Sequence, residues 1–323
     1  MNIDRNKASL SIGVIVINFN GGYLLKQCLE CLLSQTTLPH SIVVIDNASE
    51  DDSLLDLPDS SIVIVKALDR NIGFAAANNI GIACFPEVDF ILTINPDAFM
   101  RNDCIKELVK GADDSPHYDS FACRMMSTNT ILDGAGDSYH FSGLIWRSQH
   151  GKNLRQEDLI EKQVFSPCAG AALYRRSALD EVGGFDENFF CYAEDIDLGY
   201  RLKIAGKRCL YVPDAVVDHI GSAISDKYPG FAVYHGHRNL AWVFVKNTPA
   251  PLLVLMLPLH LTMTLVLFFV FLVKGQSSIY LRAKKDAIKG LPRVWRQRKD
   301  IQKMRKISLW RLMRSFDYSL FRK

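Results

Sequence analysis

Residues 12–22 read IGVIVINFNGG: a β-branched run from Ile12 to Ile17, then Asn18-Phe19-Asn20-Gly21-Gly22 as a turn. A continuous apolar run bounded by turn residues is a strand covered on both faces. It follows a polar opening, MNIDRNKAS, and is too short and wrongly laid out for a signal peptide. The alternation then repeats. Tyr23–Ser34 has helical spacing, Ser41–Ile45 is a second β-branched run ending at Asp46-Asn47-Ala48-Ser49, and Ile62–Val65 is a third strand. Phe74–Cys84 reads as a helix, and Phe90–Ile94 is a fourth strand stopping at Asn95-Pro96-Asp97. This order predicts an α/β fold with a mostly parallel sheet flanked by helices. Polar residues follow the carboxyl end of each strand, the edge at which open α/β sheets bind ligands.

Beyond the fourth strand the pattern weakens. Residues 113 to about 162 are richer in Gly, Ser, His and Asp and read as loops and short antiparallel strands, with regular structure resuming at Ser166–Arg176. The chain has 323 residues, 48% of them apolar and 23% charged, which excludes disorder, collagen and small disulfide scaffolds. Of eight scattered cysteines only Cys28 and Cys31 are close, inside the helical pattern YLLKQCLECLLSQ. No second pair or nearby His makes a zinc site of them, so they read as reduced apolar helix residues. Charge is unevenly spread. From Lys274 to Lys323 there are 16 Lys and Arg against three acidic residues, a net of +13 that leaves −10 for the rest of a chain whose total is +3. A basic tail on an acidic body points to an anionic partner. The tail has helical apolar spacing at Ile301, Met304, Ile307, Leu309 and Leu312.

The chemistry concentrates at residues 183–201, GGFDENFFCYAEDIDLGYR. Asp186, Glu187, Glu194, Asp195 and Asp197 are interleaved with Phe185, Phe189, Phe190 and Tyr192. A carboxylate against aromatic walls is partly desolvated, which raises its pKa and suits it to accept a proton. The same acids at a helix start are also favoured by free N–H groups, so capping is the plain reading of an isolated E-D-x-D.

Six ordered motifs move the balance: VIVINFN, VVIDNASED, NIGFAAANNIG, LTINPDAF, the block just quoted, and VVDHIGS. With them the sequence resembles the inverting glycosyltransferases of family 2, which have the GT-A (Rossmann-like) fold, over about Val14 to Asn247. Within that family it is most similar to the rhamnosyltransferases of bacterial cell-envelope polysaccharide synthesis. The resemblance implies an enzyme moving a sugar, rhamnose from dTDP-rhamnose by preference, from a nucleotide-diphosphate donor onto a glycan or polyprenyl-linked acceptor. A UDP-hexose or UDP-N-acetylhexosamine donor stays open. It also implies roles by position. Asn18, Asn20 and Asp46 line the nucleoside pocket, with Asn71, Gly73 and Asn78 behind them and Arg70 within possible reach of the diphosphate. Asn95-Pro96-Asp97 stands where the family has D-x-D, so Asp97, with Asn95 and His219, would hold Mg²⁺ or Mn²⁺. The chain departs there by keeping only the last carboxylate. Gly170 and Ala171 lie by the donor sugar. Asp195 is the base, Glu194 positions the acceptor or the base, and Asp197 with Arg201 braces the helix start. Tyr139 and Trp146 stack on sugar or pack in the core.

The implied domains are a catalytic region at 1–248, with a nucleotide-sugar half at about 10–112 and an acceptor half at 113–248, and a hydrophobic and basic helical extension at 249–323. Residues 252–273 carry no Asp, Glu, Lys or Arg and are long enough to cross a bilayer, but Pro258 and His260 interrupt them. Nucleotide sugars are made in the cytosol, and the basic tail prefers that side too. Body and tail on one side need an even number of crossings, which one such stretch does not supply. The expectation is a kinked in-plane or re-entrant segment on an anionic membrane surface, at the cytoplasmic face of a bacterial inner membrane. The competing function is a non-catalytic nucleotide-sugar-binding scaffold. A dinucleotide oxidoreductase lacks its G-x-G-x-x-G, and a nucleic-acid partner fits the apolar neighbour of the tail less well than a membrane does.

Overall fold

The computed structural model describes residues 10–221 and 228–319, so the opening polar residues, Ser222 of the last motif and the final basic residues lie outside it. The predicted alternation is observed: β1 (Ile12–Asn18), α1 (Tyr23–Leu33), β2 (Ser41–Asp46), β3 (Val63–Ala67), α2 (Phe74–Ala83) and β4 (Phe90–Ile94). These strands run parallel in the spatial order β4-β1-β2-β3. Odd and even positions of β1 feed opposite cores. Val14 and Val16 pack with Leu25, Cys28 and Leu29 of α1, while Ile15 and Ile17 pack with Ala75 and Ala77 of α2. Cys28 is one of eight free thiols. Register aligns the strand ends, pairing Asn18 with Asp46 at a single edge.

After the short β5 (Ala98–Met100) and α3 (Cys104–Asp114), the region expected to be loops contains β6 (Ser120–Met126), a full internal strand. Its sequence, SFACRMM, has no β-branched residue, so local propensity is silent. Pairing supplies the strand: β11 (Ala171–Arg175) runs antiparallel on one side and β12 (Cys209–His219) parallel on the other. Between β6 and β11 along the chain come the short strands β7 (Leu132–Gly134), β8 (Asp137–Tyr139), β9 (Ile145–Arg147) and β10 (Lys162–Val164). Helix α4 (Arg176–Val182) leads into the acid-rich block, whose Glu194, Asp195 and Asp197 open α5 (Glu194–Ile204).

The chain ends in α6 (Phe231–Asn247), α7 (Ala250–Val273), α8 (Ser277–Lys303) and α9 (Leu309–Met313). Pro258 and His260 do not interrupt α7, which is one 24-residue helix. A proline deletes one helical hydrogen bond, and the carbonyl it would have served belongs to Val254, which is 73% exposed. The basic segment is docked. Ile301, Leu312 and Phe316 share one core with Tyr139, Phe165 and Tyr200, and Trp242 of α6 donates to the carbonyl of Ala287 on α8. Arg298 is buried and donates to the carbonyls of Val245 and Thr248, closing the end of α6. Lys284, donating to the carbonyl of His237, and Lys306, paired with Glu181, are likewise spent on the body.

Candidate active site

A cavity of about 840 Å³ opens at the carboxyl edge of the sheet. One wall is the turn after β2 and the loop before α2. Asn47 accepts from Ile72 N (3.2 Å) and donates to Gly73 O (3.3 Å), and Asn71 accepts from Gly73 N (2.9 Å). Gly73 has φ 88°, and a Cβ there would lie 2.6 Å from the backbone oxygen of Phe190. Glycine is needed because the acid-rich loop crosses at that point. Asn18 and Asp46 sit beneath this wall. Asp46 accepts from Asn18 (2.7 Å), from Ser49 Oγ (2.6 Å) and from Ser49 N (3.0 Å). Its carboxylate thus braces the turn and does not itself line the cavity. Asn20 Oδ1 holds Glu50 N at 2.8 Å on the rim, Asn78 is bonded to Phe74 O within α2, and Ala171 is buried in its strand. Arg70 is exposed and away from the lining, and Tyr139 is fully buried core.

The floor is built by strand pairing. Ala98 pairs with His219, which brings Asp97 Oδ1 to 3.4 Å from His219 Nε2. His219 Nδ1 is held at 2.8 Å by Asp133 Oδ2 on β7, which turns Nε2 toward Asp97, and among the described residues Nε2 makes no hydrogen bond. Asp133 also pairs with Arg147, and His150 Nδ1 hydrogen-bonds its backbone carbonyl at 2.9 Å, 3.2 Å from its carboxylate. Burial disfavours its charge, yet the bond to His219 and the Arg147 charge outweigh burial and hold its pKa down at about 2. Burial likewise opposes the His219 imidazolium, but Asp133 and Asp97 win and raise its pKa. A carboxylate, Asn95 beside it and an imidazole whose far nitrogen is carboxylate-bound form a ligand set that fits a divalent cation also held by donor phosphates.

Opposite stand Glu194 and Asp195. The preceding loop is strained, with φ of 66°, 69° and 63° at Phe190, Tyr192 and Ala193. Asn239 of α6 holds it by donating to the carbonyls of Phe189, Cys191 and Tyr192 at 2.7–2.9 Å. Asp195 is half-buried, and its oxygens accept backbone N–H from Ile196 (2.8 Å) and Ala169 (3.4 Å). Burial raises its pKa, against those N–H groups and Arg147. Glu194 is buried with an unpartnered oxygen, and burial together with Asp195 pushes its pKa well up. Ligand atoms of Asp137, Cys168 and Asp195 lie within 4.8 Å of one another. Arg147 reaches Cys168 Sγ at 2.9 Å, so the chain supplies the positive charge there itself. Burial and the Asp195 charge push the Asp137 pKa well up.

Asp197 faces away from the cavity. Arg201 (2.8 Å), Lys246 (2.7 Å) and Asn247 (2.8 Å) take its oxygens. Thus Asn71, Gly73, Asn95, Asp97, Gly170, Glu194, Asp195 and His219 meet at the cavity, while Asn18, Asn20, Asp46, Asn78, Ala171 and Asp197 stand behind it or at its rim. Asp133, Asp137, Arg147, His150, Cys168 and Asn239 escaped the sequence reading. Only the D-G-A-G-D of residues 133–137 carries a local signal, and it reads as a turn.

The family model described as Glycosyl transferase family 2 matches residues 13–183, just over half of the chain. The N-acetylglucosaminyl-diphospho-decaprenol L-rhamnosyltransferase of Mycobacterium tuberculosis (strain ATCC 25618 / H37Rv) is 29% identical over 261 residues, covering 72% of this chain and 83% of that one. The O-antigen chain rhamnosyltransferase RfbN of Salmonella typhimurium (strain LT2) is 30% identical over 224 residues, 65% of this chain and 66% of that one. A crystal structure of GalNAc-T7 with UDP, GalNAc and Mn2+ superposes with a TM-score of 0.60 at 16% identity, over 75% of this chain and 48% of that one, a likeness of fold.

Proposed function

The chain belongs to glycosyl transferase family 2 and is a glycosyltransferase, and from that premise we propose that it transfers rhamnose from dTDP-rhamnose, with inversion, onto a lipid-diphosphate-linked saccharide in cell-envelope polysaccharide synthesis. The rhamnosyltransferase relatives support the sugar and the acceptor class. The observation that carries the reading is one cavity joining the Asp97–His219 pair to Asp195. Asp195 takes the acceptor hydroxyl proton as that oxygen attacks the anomeric carbon, and the bond from this carbon to the diphosphate oxygen breaks on the opposite face. Backbone N–H groups hold the Asp195 carboxylate in place, and buried Glu194 orients it. Asp97, His219 and Asn95 would hold a divalent cation, whose charge stabilises the leaving diphosphate. Asn71, Asn47 and Gly73 support the nucleoside wall. The test is a panel of nucleotide sugars scored for thermal stabilisation with and without Mn²⁺. Stabilisation by dTDP-rhamnose, enhanced by the cation, is expected; a protein that no nucleotide sugar stabilises is not this enzyme.

We further propose that the protein lies on the cytoplasmic face of the inner membrane with α7 in the plane of the bilayer surface. Only 11% of the most apolar stretch of α7 is buried. Its buried residues nevertheless run from Leu252 to Phe271, and His260 stacks on Phe244 at 4.0 Å. Crossing the bilayer would pull this packed surface into hydrocarbon. Replacing exposed Leu261, Leu265 and Phe269 by Ser should move the protein from membranes to the soluble fraction. Unchanged sedimentation with membranes would refute the placement. Truncation at residue 250 is a poorer test, because it strips Ile301, Leu312 and Phe316 from the core around Tyr139.

A further inference from the structure

A second cavity, of about 560 Å³, lies between α6 and α8. Tyr228 and Phe231 line both this cavity and the catalytic one, so the two adjoin across those rings. Its far wall carries Arg282, whose guanidinium stands 4.8 Å from the Tyr234 ring centroid. Among the described residues no carboxylate pairs with Arg282. The nearby acid on its helix, Asp286, is already engaged by Tyr234 Oη (2.9 Å) and Lys289 (3.0 Å). On the shared side, His235 is packed between Phe190 and Phe231, and among the described residues its Nδ1 has no hydrogen-bond partner. Burial, Arg238 and Arg282 keep it neutral by lowering its pKa to about 4. A guanidinium without a carboxylate partner among the described residues, on the wall of an aromatic-lined cavity, suits a phosphate group, which arginine grips in bidentate fashion.

Arg282 also borders a lipid-like surface. Its neighbour Leu281, with Ile288 and Trp295, forms an outward stripe at a spacing of seven residues, and these side chains are 53%, 66% and 52% exposed. Seven residues is nearly two helical turns, so the three share one face. Lys285 and Lys289 flank that face, the composition of a helix lying at headgroup depth.

We propose that this second cavity seats the diphosphate of a lipid-linked acceptor, with Arg282 as its principal cation. The lipid chain then follows the Leu281–Ile288–Trp295 stripe and the bare side of α7, and the sugar passes Tyr228 and Phe231 toward Asp195. This rests on the acceptor class proposed above and adds where its charge is read.

The test titrates the full-length protein in detergent micelles with farnesyl diphosphate, farnesol and inorganic pyrophosphate, alongside dTDP-rhamnose. Farnesyl diphosphate should bind the wild type more tightly than either fragment. Arg282→Ala should weaken it about tenfold, the scale of one charge-assisted contact, while dTDP-rhamnose affinity holds. Arg282 is exposed, so loss of fold does not confound the variant. Unchanged farnesyl diphosphate affinity overturns the proposal. So does pyrophosphate binding as tightly as the lipid, which would make this a free-anion site, or a matching loss of dTDP-rhamnose affinity, which would give the cavity to the donor. If no nucleotide sugar binds the wild type, the enzyme reading fails, while the farnesyl diphosphate series still decides the cavity.

Discussion

Two sets of carboxylates come from one short block of sequence and meet opposite fates. Asp186 and Asp197 are sealed in the body with Lys246, which contacts them at 2.5 and 2.7 Å and is 1% exposed. Gln297 of α8 adds a bond to Asp186 at 3.0 Å. Glu194 and Asp195 turn to the cavity and make no ion pair of their own among the described residues. The first set is neutralised by cations and holds helices together, whereas the second has no ion pair among the described residues and can take a proton. Spacing does not separate them, because Asp195 and Asp197 are two residues apart on one helix. What separates them is which side faces α6, the source of Lys246 and Asn247.

The comparison breaks most visibly at Asp195. Asp195→Asn should lower kcat by about 10²–10⁴-fold, the usual contribution of a general base, with nucleotide-sugar affinity within a few-fold. Asp197→Asn should lose stability first and retain turnover in whatever remains folded. Near-normal turnover in the Asp195 variant, measured with saturating donor, would erase the distinction. Next in size is Lys246→Met, which leaves Asp186 without its cation while Asp197 keeps Arg201 and Asn247, and which should cost about 3–5 kcal/mol in chemical denaturation. The same ion cluster sets an acid limit. Burial opposes the Asp186 charge, but Lys246 prevails and holds its folded pKa well below the unfolded one. Its stabilisation is therefore complete above the unfolded pKa of about 3.9 and is lost as pH falls further. The Met variant should lack that acid-side contribution; identical acid unfolding curves would refute the assignment.

The cavity floor gives a sharper, smaller effect. Asp97→Ala should weaken donor binding and abolish its dependence on divalent cation, and Asp133→Asn should lower cation affinity by about 10–100-fold, the scale for outer-shell partners. Donor titrations insensitive to chelator in the wild type would refute both. Least in size is Arg147→Gln. Burial raises the Asp195 pKa and Arg147 counteracts it, so removing the cation should move the acid limb of kcat/KM upward. A shift downward would mean that Arg147 does not face the base.

The sheet edge was legible because β1, β2 and β4 announce themselves as apolar runs ending in polar turns. Strand β6 was not, since Ser, Cys, Arg and Met become a strand only between β11 and β12. The motif residues Asn71, Asp97, Asp195 and His219 were found by resemblance. Asp133, Asp137 and Arg147 were not, because they arrive on three-residue strands whose positions depend on distant pairing. The part of Asp46 was also seen incompletely: the pattern located it, but its carboxylate turned out to be taken by Asn18 and Ser49. Likewise the charge of the tail was countable, whereas its inward use by Arg298 required packing to be known.

The late placement of Phe316 bears on biosynthesis. Phe316 closes over Tyr139 and Tyr200, and Asp317 exchanges backbone hydrogen bonds with Tyr139 and Phe141. A nascent chain emerging from the ribosome must leave that aromatic surface uncovered until the segment around residue 316 is released. Chains lacking that segment would leave the rings of Tyr139 and Tyr200 without the cover that Phe316 supplies.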